Sequence, residues 1–265
     1  MSNRMAEKAL QESRSFGVRQ VPTLRPLGWL ARGWADLMKC PVPGLLHGLA
    51  LAVFGGALFV AARDHFWLLA GAFSGFLLVA PILATGLYAV SRALERGEPA
   101  NLGTALAAWK PNDRRLVTFG LLLMLAGTGW VLTSASLITS MGHGLIHSPV
   151  DFLRHVVLAK EGHLFEIWLA LGAVLAAPVF ASTVVALPLL LDRQVSVLAA
   201  VFISWRTVLE QPAAMALWAG LLLGLTGLGM LTVMLGLVVA LPVLSHASWH
   251  AYRDLVDTSR LPERS

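Results

Sequence analysis

The chain has 265 residues, of which 57% are hydrophobic and 13% charged. Soluble domains carry about 25% charged residues, so a water-borne globule is excluded and the membrane class remains. The net charge of +5 does not point to nucleic acid, because the basic residues flank apolar runs, where they orient spans, and the single cysteine, Cys40, excludes an internal disulfide and a cysteine-built zinc cage.

Residues 1–23 are polar and carry both charge signs, so a flexible cytoplasmic tail is expected there. The first 40 residues hold several charges and no leading apolar segment. A cleaved signal peptide is therefore not expected, and the first span would act as the insertion signal. Residues 24–40, with Trp29 and Trp34, fit a short helix lying in the membrane surface. Pro41 and Pro43 then open span one, at 44–62, and Arg63-Asp64-His65 makes a polar turn.

Span two runs over 66–91 without a charged residue. At ~1.5 Å per residue a helix needs ~20 such residues to cross the bilayer core. Inside lipid the backbone must satisfy its own hydrogen bonds, so a run of this length reads as a helix. Pro81 sits in mid-span, which a membrane helix tolerates because neighbours re-satisfy the freed carbonyl. Tyr88 and Arg92 suit the interface, the ring at headgroup level and the cation in water. Gly71 and Gly75 share a face and allow a close helix neighbour; glycine enrichment in membrane helices is the plainer reading of the pair.

Within 92–115, the stretch 101–110 reads as a second surface helix. Span three covers 116–140. Residues 141–163 form a longer loop in which 150–159 is helical in period. Span four covers 164–191, with Pro178 and Pro188 inside it, and Asp192-Arg193 ends it. Residues 195–210 are a third surface helix. From Gln211 to Tyr252 there is no charge. As one helix this would be ~63 Å long, about twice the bilayer core. Two spans joined near 224–229, a glycine-rich stretch, are expected: span five over 212–225 and span six over 230–249. One long tilted span, giving five in all, is the alternative. With six spans and both termini cytoplasmic, only Arg63, Arg154 and Lys160 of the 20 lysines and arginines lie outside, as the positive-inside rule favours.

The expected fold is therefore all-α: a polytopic transmembrane bundle of about six spans as three hairpins, with interfacial amphipathic helices. It occupies 24–256 between the N-terminal tail and a cytoplasmic tail at 257–265. Internal repetition supports this order. Pro81 is followed by Tyr88 and Arg92 at the intervals by which Pro242 is followed by Trp249 and Arg253. Trp34 precedes Pro41 by the interval at which Trp205 precedes Pro212 and Trp109 precedes Leu116. Three copies of a unit, a Trp-bearing surface helix followed by a hairpin, account for these offsets. Chance is the competing account, because Pro, Trp and Arg commonly mark membrane interfaces.

The block Gly75-Phe76-Leu77-Leu78-Val79-Ala80-Pro81, followed by Gly86-Leu87-Tyr88 and Ser91-Arg92, resembles the family catalogued as domain of unknown function 2189. So do Leu189-Leu190-Leu191-Asp192-Arg193, Pro212 with Met215 and Trp218, the segment Trp34-Ala35-Asp36-Leu37, and the C-terminal His246-Ala247-Ser248-Trp249-His250-Ala251-Tyr252-Arg253. The resemblance covers residues 30–256. Gln211 stands where the family pattern has asparagine. The resemblance implies a bacterial integral membrane protein of the inner membrane with no settled activity.

Three groups of residues could carry chemistry. His246 and His250 share a helix face, and His47 is expected at a similar depth, so His47 with His246 is the conceivable pair for a haem or metal. Hydrogen bonding at the interface is the plainer role. His143 and His147 in the outer loop could bind zinc or copper, or simply be solvated. Asp192, Arg193, Arg253 and Asp254 at the inner span ends could pair with one another or with Asp36 and Arg92, or could hold anionic headgroups. There is no phosphate-binding loop, nucleophile elbow or zinc-protease motif. The expected protein is not an enzyme and carries no cofactor. It is a non-catalytic accessory or assembly partner of a membrane complex, with a small-molecule or lipid transporter and a haem- or metal-binding protein as alternatives. Its expected partners are membrane lipid and other membrane proteins or a second copy of itself.

Overall fold

A computed structural model describes residues 2–14, 16–62, 65–67, 83–109, 114–142, 146–159 and 163–264. The chain is helical almost throughout. In order the elements are α1 (Ser2–Arg14), β1 (Gly17–Val18), α2 (Arg25–Lys39), α3 (Pro41–Ala62), α4 (Thr85–Arg96), α5 (Leu102–Ala107) and α6 (Arg114–Met141). Then follow α7 (Pro149–Phe152), a π-helical turn (Leu153–Val157), α8 (Leu164–Thr183), α9 (Ala186–Asp192), α10 (Val197–Glu210), α11 (Pro212–Leu231), α12 (Leu237–Leu255) and β2 (Val256–Asp257). Among the described residues, four stretches are long and apolar enough to cross a bilayer: Pro41–Ala61, Arg115–Met141, Leu164–Asp192 and Pro212–Leu231. The all-α membrane fold expected from the sequence is the fold observed. The middle of expected span two, with Gly71, Gly75 and Pro81, lies outside the described residues.

The chain forms two compact units, 1–52 with 81–119 and 180–265, and 53–80 with 120–179. In the second unit, Ile138, Ile146, Val156 and Leu164 form a buried cluster against Phe66, Trp67, Phe152 and Trp168. Trp168 Nε1 donates to Ser134 Oγ at 2.6 Å, satisfying the one polar atom of a ring otherwise in apolar contact. Ser148 and Asp151 cap α7 reciprocally.

The first unit is built around α12. Its partner α2 is amphipathic. Trp29, Gly33, Asp36 and Leu37 are buried, while Leu27, Trp34 and Met38 are exposed on the opposite side. Gly33 is what lets the two helices meet: a Cβ there would lie 2.6 Å from Val243 O and 2.7 Å from Ala247 N. Gly48 of α3 is pressed against Val238 O in the same way. Helices form at all three stretches expected to lie in the membrane surface, as α2, α5 and α10, the second shortened to Leu102–Ala107 and opened by an Asn101/Thr104 capping box.

Two expectations need correction. The N-terminal segment is not a structureless tail. α1 packs on α10, with Glu12 accepting from Ser196 N and Oγ, and Phe16 is buried. β1 then pairs antiparallel with β2, Gly17 opposite Asp257 and Val18 opposite Val256. The C-terminal residues are docked too, Arg264 N donating to Asp192 O.

The second correction concerns the last hairpin, which does not turn at 224–229. Helix α11 runs through those glycines to Leu231, and the turn is 232–236. Gly229 serves the turn from inside the helix: its missing Cβ leaves room for Leu237, whose Cδ2 would otherwise stand 2.6 Å away. Thr232 Oγ1 accepts from Gly236 N at 2.7 Å and closes the loop.

Span four is present as the apolar stretch Leu164–Asp192, its helix interrupted at Val184-Val185 between α8 and α9. Pro188 has no N–H to offer the carbonyl of Val184, so the ladder stops four residues ahead of it. Ser204 Oγ of α10 takes the orphaned N–H of Val185.

Candidate functional site

Polar side chains in the first unit meet at three junctions, all along α12. The deepest joins α2, α4 and α12. Asp36 Oδ2 lies 2.8 Å from Ser91 Oγ and 2.8 Å from His250 Nε2, and Ser91 Oγ lies 2.7 Å from His246 Nδ1. Ser91 and His246 are fully buried, and Asp36 is nearly so. A carboxylate only accepts, so both Ser91 O–H and His250 Nε2–H point at Asp36. The Ser91 hydroxyl has one proton, so its oxygen accepts from His246 Nδ1–H. That fixes the His246 tautomer and leaves Nε2 as a bare lone pair. Nε2 is buried and has no partner among the described residues. It faces α3 at Gly44, whose Cβ, if present, would lie 3.7 Å from it. Burial alone would push the Asp36 carboxyl up, but the hydrogen bonds from His250 and Ser91 and the nearby imidazoles hold it below the usual carboxylate value.

The second junction is Asp254. It accepts from Arg25 Nε at 2.6 Å, Trp29 Nε1 at 2.8 Å and Arg32 Nη2 at 2.5 Å. Burial again opposes ionisation, and these donors from α2 outweigh it, so this carboxyl is also held low. Trp29 stands edge-on to Trp218 of α11, with centroids 5.6 Å apart at 87°.

The third is Asp192, at the end of α9. It takes Tyr252 O–H at 2.7 Å and Arg193 Nε at 3.0 Å, with Arg96 at 3.5 Å and Arg253 at 3.8 Å. Arg253 and Trp249 both donate to Glu95, at 3.0 and 2.9 Å. Arg92 donates to Leu191 O at 3.3 Å.

The expected residues fall unevenly on this arrangement. Asp36, His246 and His250 are brought together, as are Asp192, Arg193, Tyr252 and Arg253. Asp36 pairs with His250 and Ser91 rather than with an arginine. His47 lies close enough to His246 to act on it electrostatically, but its Nε2 is 2.8 Å from Leu83 O, and its ring lies against Trp109 with centroids 5.1 Å apart and planes tilted by 50°. A haem iron held by two Nε2 atoms would need that nitrogen free, so the residues do not fit that group. His143 lies outside the described residues. His147 is exposed, and no group of three or more His, Cys, Asp or Glu that could hold a metal occurs among the described residues. Tyr88 is buried and bonded to Ser248. Trp34 is exposed, Trp205 Nε1 donates to Ser182 Oγ at 2.8 Å, Pro212 opens α11, and Pro242 is buried within α12.

Sequence reasoning missed Ser91 as the link and Arg25, Trp29 and Arg32 as the cradle of Asp254. The latter were findable: 25, 29 and 32 recur at i, i+4 and i+7, one helix face. Gly33 and Gly48 carried no signal beyond being glycine.

Residues 68–192 match the model of domain of unknown function 2189 (DUF2189), described as a predicted integral membrane protein. This supports the resemblance over a shorter reach than 30–256. The match includes Ser91, Arg92 and Asp192 but not Asp36, His246 or Arg253. No curated protein and no solved structure matches the chain.

Proposed function

We propose that this chain, whose residues 68–192 carry the segment characteristic of that family of integral membrane proteins, is a non-catalytic accessory or assembly partner of a larger complex in a bacterial inner membrane. The observation that carries the reading is how its buried acids are used. Asp36, Asp192 and Asp254 each hold two or more helices or helix ends together through hydrogen bonds and ion pairs. Their partners come from α2, α4 and α12, which are packed with no room for a Cβ at Gly33. Such an arrangement fixes a shape and leaves its apolar faces to lipid or to other membrane proteins. Native purification in mild detergent tests it: defined membrane proteins co-elute with the tagged chain, and recovery as a lone monomer would refute it.

Both termini lie on the cytoplasmic side in this reading. What supports a common side is the pairing of Gly17-Val18 with Val256-Asp257, since two segments that share a ladder cannot lie on opposite faces of a bilayer. That favours an even number of spans. The distribution of arginine and lysine favours the cytoplasm as that side. Fusions of a reporter at each end check it, and opposite locations would refute it.

A second reading, a small-molecule or lipid transporter, has one observation in its favour: the interrupted α8–α9 helix, since such breaks line sites in carriers. Substrate-dependent uptake into proteoliposomes, lost on straightening the helix with Pro188→Ala, would support it over the scaffold.

A further inference from the structure

The last turn of α9 draws arginines from two other parts of the chain. Arg92 of α4 donates to Leu191 O at 3.3 Å, Arg264 donates to Leu190 O at 3.1 Å, and Arg96 reaches Asp192 Oδ1 at 3.5 Å. A helix C-terminus attracts cations, because its unpaired carbonyls carry about half a negative elementary charge. That is less than one guanidinium brings, and three are present. The nearby carboxylates are taken by others. Asp192 holds Tyr252 and Arg193, and Glu263 holds Arg96 at 3.0 Å and Arg193 at 3.3 Å. Glu98 lies 3.9 Å from Arg96. Arg92 makes no ion pair among the described residues, and Leu191 O is the one acceptor it reaches there. A guanidinium has five N–H donors in a planar fork, so most of this one is uncommitted. Its counterpart is Arg253, which follows Pro242 at the interval by which Arg92 follows Pro81, and which has Glu95 at 3.0 Å and Asp192 at 3.8 Å. One copy of the motif brings its own anion and the other does not. Arg92 is half-buried. Burial, then the charge of Arg96 and to a smaller degree that of Arg264, push its guanidinium below the ordinary arginine value, and Asp192 and Glu98 offset them only in part.

We propose that Arg92, flanked by Arg96 and Arg264, binds the phosphate of an anionic phospholipid headgroup. This goes beyond the scaffold reading. A phosphodiester carries a single negative charge, which matches a single guanidinium without a carboxylate, and two of its oxygens accept side by side from a planar fork. The level suits a lipid rather than a solute. Arg92 directly follows the charge-free run 66–91 and stands one turn beyond Tyr88, so its fork lies at the depth of headgroups. Arg264 comes from the C-terminal segment, so the leaflet is the one on the side of the chain ends. The distribution of arginine and lysine favours the cytoplasm as that side, and the cytoplasmic leaflet is the one that carries anionic lipid at its surface.

Native mass spectrometry of the full chain tests this. Released from nanodiscs of mixed phosphatidylglycerol and phosphatidylcholine, the wild-type chain retains phosphatidylglycerol in preference by about fivefold, the worth of one basic residue near a charged membrane surface. Arg92→Gln keeps a donor for Leu191 O but not the charge, and the preference disappears. Arg260→Gln removes the same charge from an exposed position, and the preference stays. Equal loss in both variants is a general effect of surface charge and overturns the site, as does a wild-type chain without preference. If Arg92→Gln fails to fold, Arg92→Lys decides: it keeps the charge without the fork and lowers the preference, and an unchanged value overturns the proposal. A second arm separates lipid from a soluble phosphate. In nanodiscs of phosphatidylcholine alone, millimolar inorganic phosphate leaves the unfolding midpoint of the wild-type chain where it was. A rise in midpoint that is lost in the Arg92 variant assigns the site to a soluble phosphate and overturns the lipid. None of these outcomes touches the scaffold reading, which is tested by co-elution with other proteins.

Discussion

Two glycines on α2 offer a matched comparison. Gly28 and Gly33 have the same intrinsic helix penalty, and alanine recovers about 0.8–1.0 kcal/mol at either position on propensity alone. At Gly28 an added Cβ meets nothing within 4 Å, so Gly28→Ala keeps that gain. At Gly33 the Cβ falls 2.6 Å from Val243 O, 2.7 Å from Ala247 N and 2.9 Å from Ala247 Cβ. Two of these atoms are backbone and cannot rotate aside. Ordinary contact is about 3.5–4.0 Å, so α2 and α12 must part by roughly 1 Å. Overpacking of this kind costs about 1–3 kcal/mol. The same movement lengthens the Trp29–Asp254 and Asp36–His250 bonds, now 2.8 Å each, past useful range, at about 1 kcal/mol apiece. Gly33→Ala is therefore destabilising by about 2–4 kcal/mol net, and Gly28→Ala stabilising by about 1 kcal/mol. Denaturant unfolding of both variants in the same mild detergent, followed by tryptophan fluorescence, reads the difference directly. If the two shift stability in the same direction, the close approach of α2 to α12 is not what holds the unit together.

Asp254→Asn leaves Arg25 and Arg32 short of an anion and costs about 1–3 kcal/mol, less than a dry ion pair would because both arginines are well exposed. The folded carboxyls of Asp36 and Asp254 are held below their ordinary value, so their contribution is complete above about pH 4 and is lost as pH falls through the lower folded values; an acid titration of unfolding midpoints checks this, and Asp254→Asn flattens it. Asp192→Ala strands the buried Tyr252 O–H and leaves the Arg193 guanidinium to Glu263 and Leu261 O, and it costs about 1–3 kcal/mol, read as a lowered unfolding midpoint in the same detergent. Val233 sits at φ 53°, a left-handed conformation that a β-branched residue adopts at a cost of about 1–2 kcal/mol. Val233→Gly therefore raises the melting temperature, and an unchanged or lower value counts against the strain.

What the sequence made legible is what hydropathy and proline encode. Surface helices α2 and α10 were visible because tryptophan and polar residues alternate at helical period just ahead of a proline. The last hairpin was visible as a charge-free stretch too long for one crossing. Its turn was misjudged, because glycine marks both a turn and a place where something packs closely, and only the fold distinguishes the two: Gly229 is the second kind. The N-terminal helix was missed because nothing local requires it. Its order comes from docking on α10 and from pairing with β2, more than 200 residues away in the chain. The site was half legible. Two histidines one turn apart announce a face, but one reaches an aspartate of a second helix directly and the other through a serine midway along a third, and no spacing rule reaches across such separations.

The repeated corner indicates which part of the site the architecture needs. α2 and α10 each end in one residue before a proline, and the two end residues have nearly the same backbone: Cys40 at φ −137°, ψ 70° and Gln211 at φ −128°, ψ 48°. Each donates its N–H back to a carbonyl at 3.0 Å, Cys40 to Asp36 and Gln211 to Thr207. Asp36 and Thr207 thus hold the same place in two copies of one corner, and both are buried. Thr207 spends its hydroxyl on Ile203 O of its own helix, at 2.8 Å. Asp36 instead reaches out to α4 and α12. A corner of this geometry therefore forms without an acid. Burying a carboxylate costs several kcal/mol before its partners repay it, and a threonine would have served the turn. The charge at Asp36 is thus an addition to the corner rather than a condition for it, and the bare nitrogen of His246 lies at the other end of the chain of bonds that starts there.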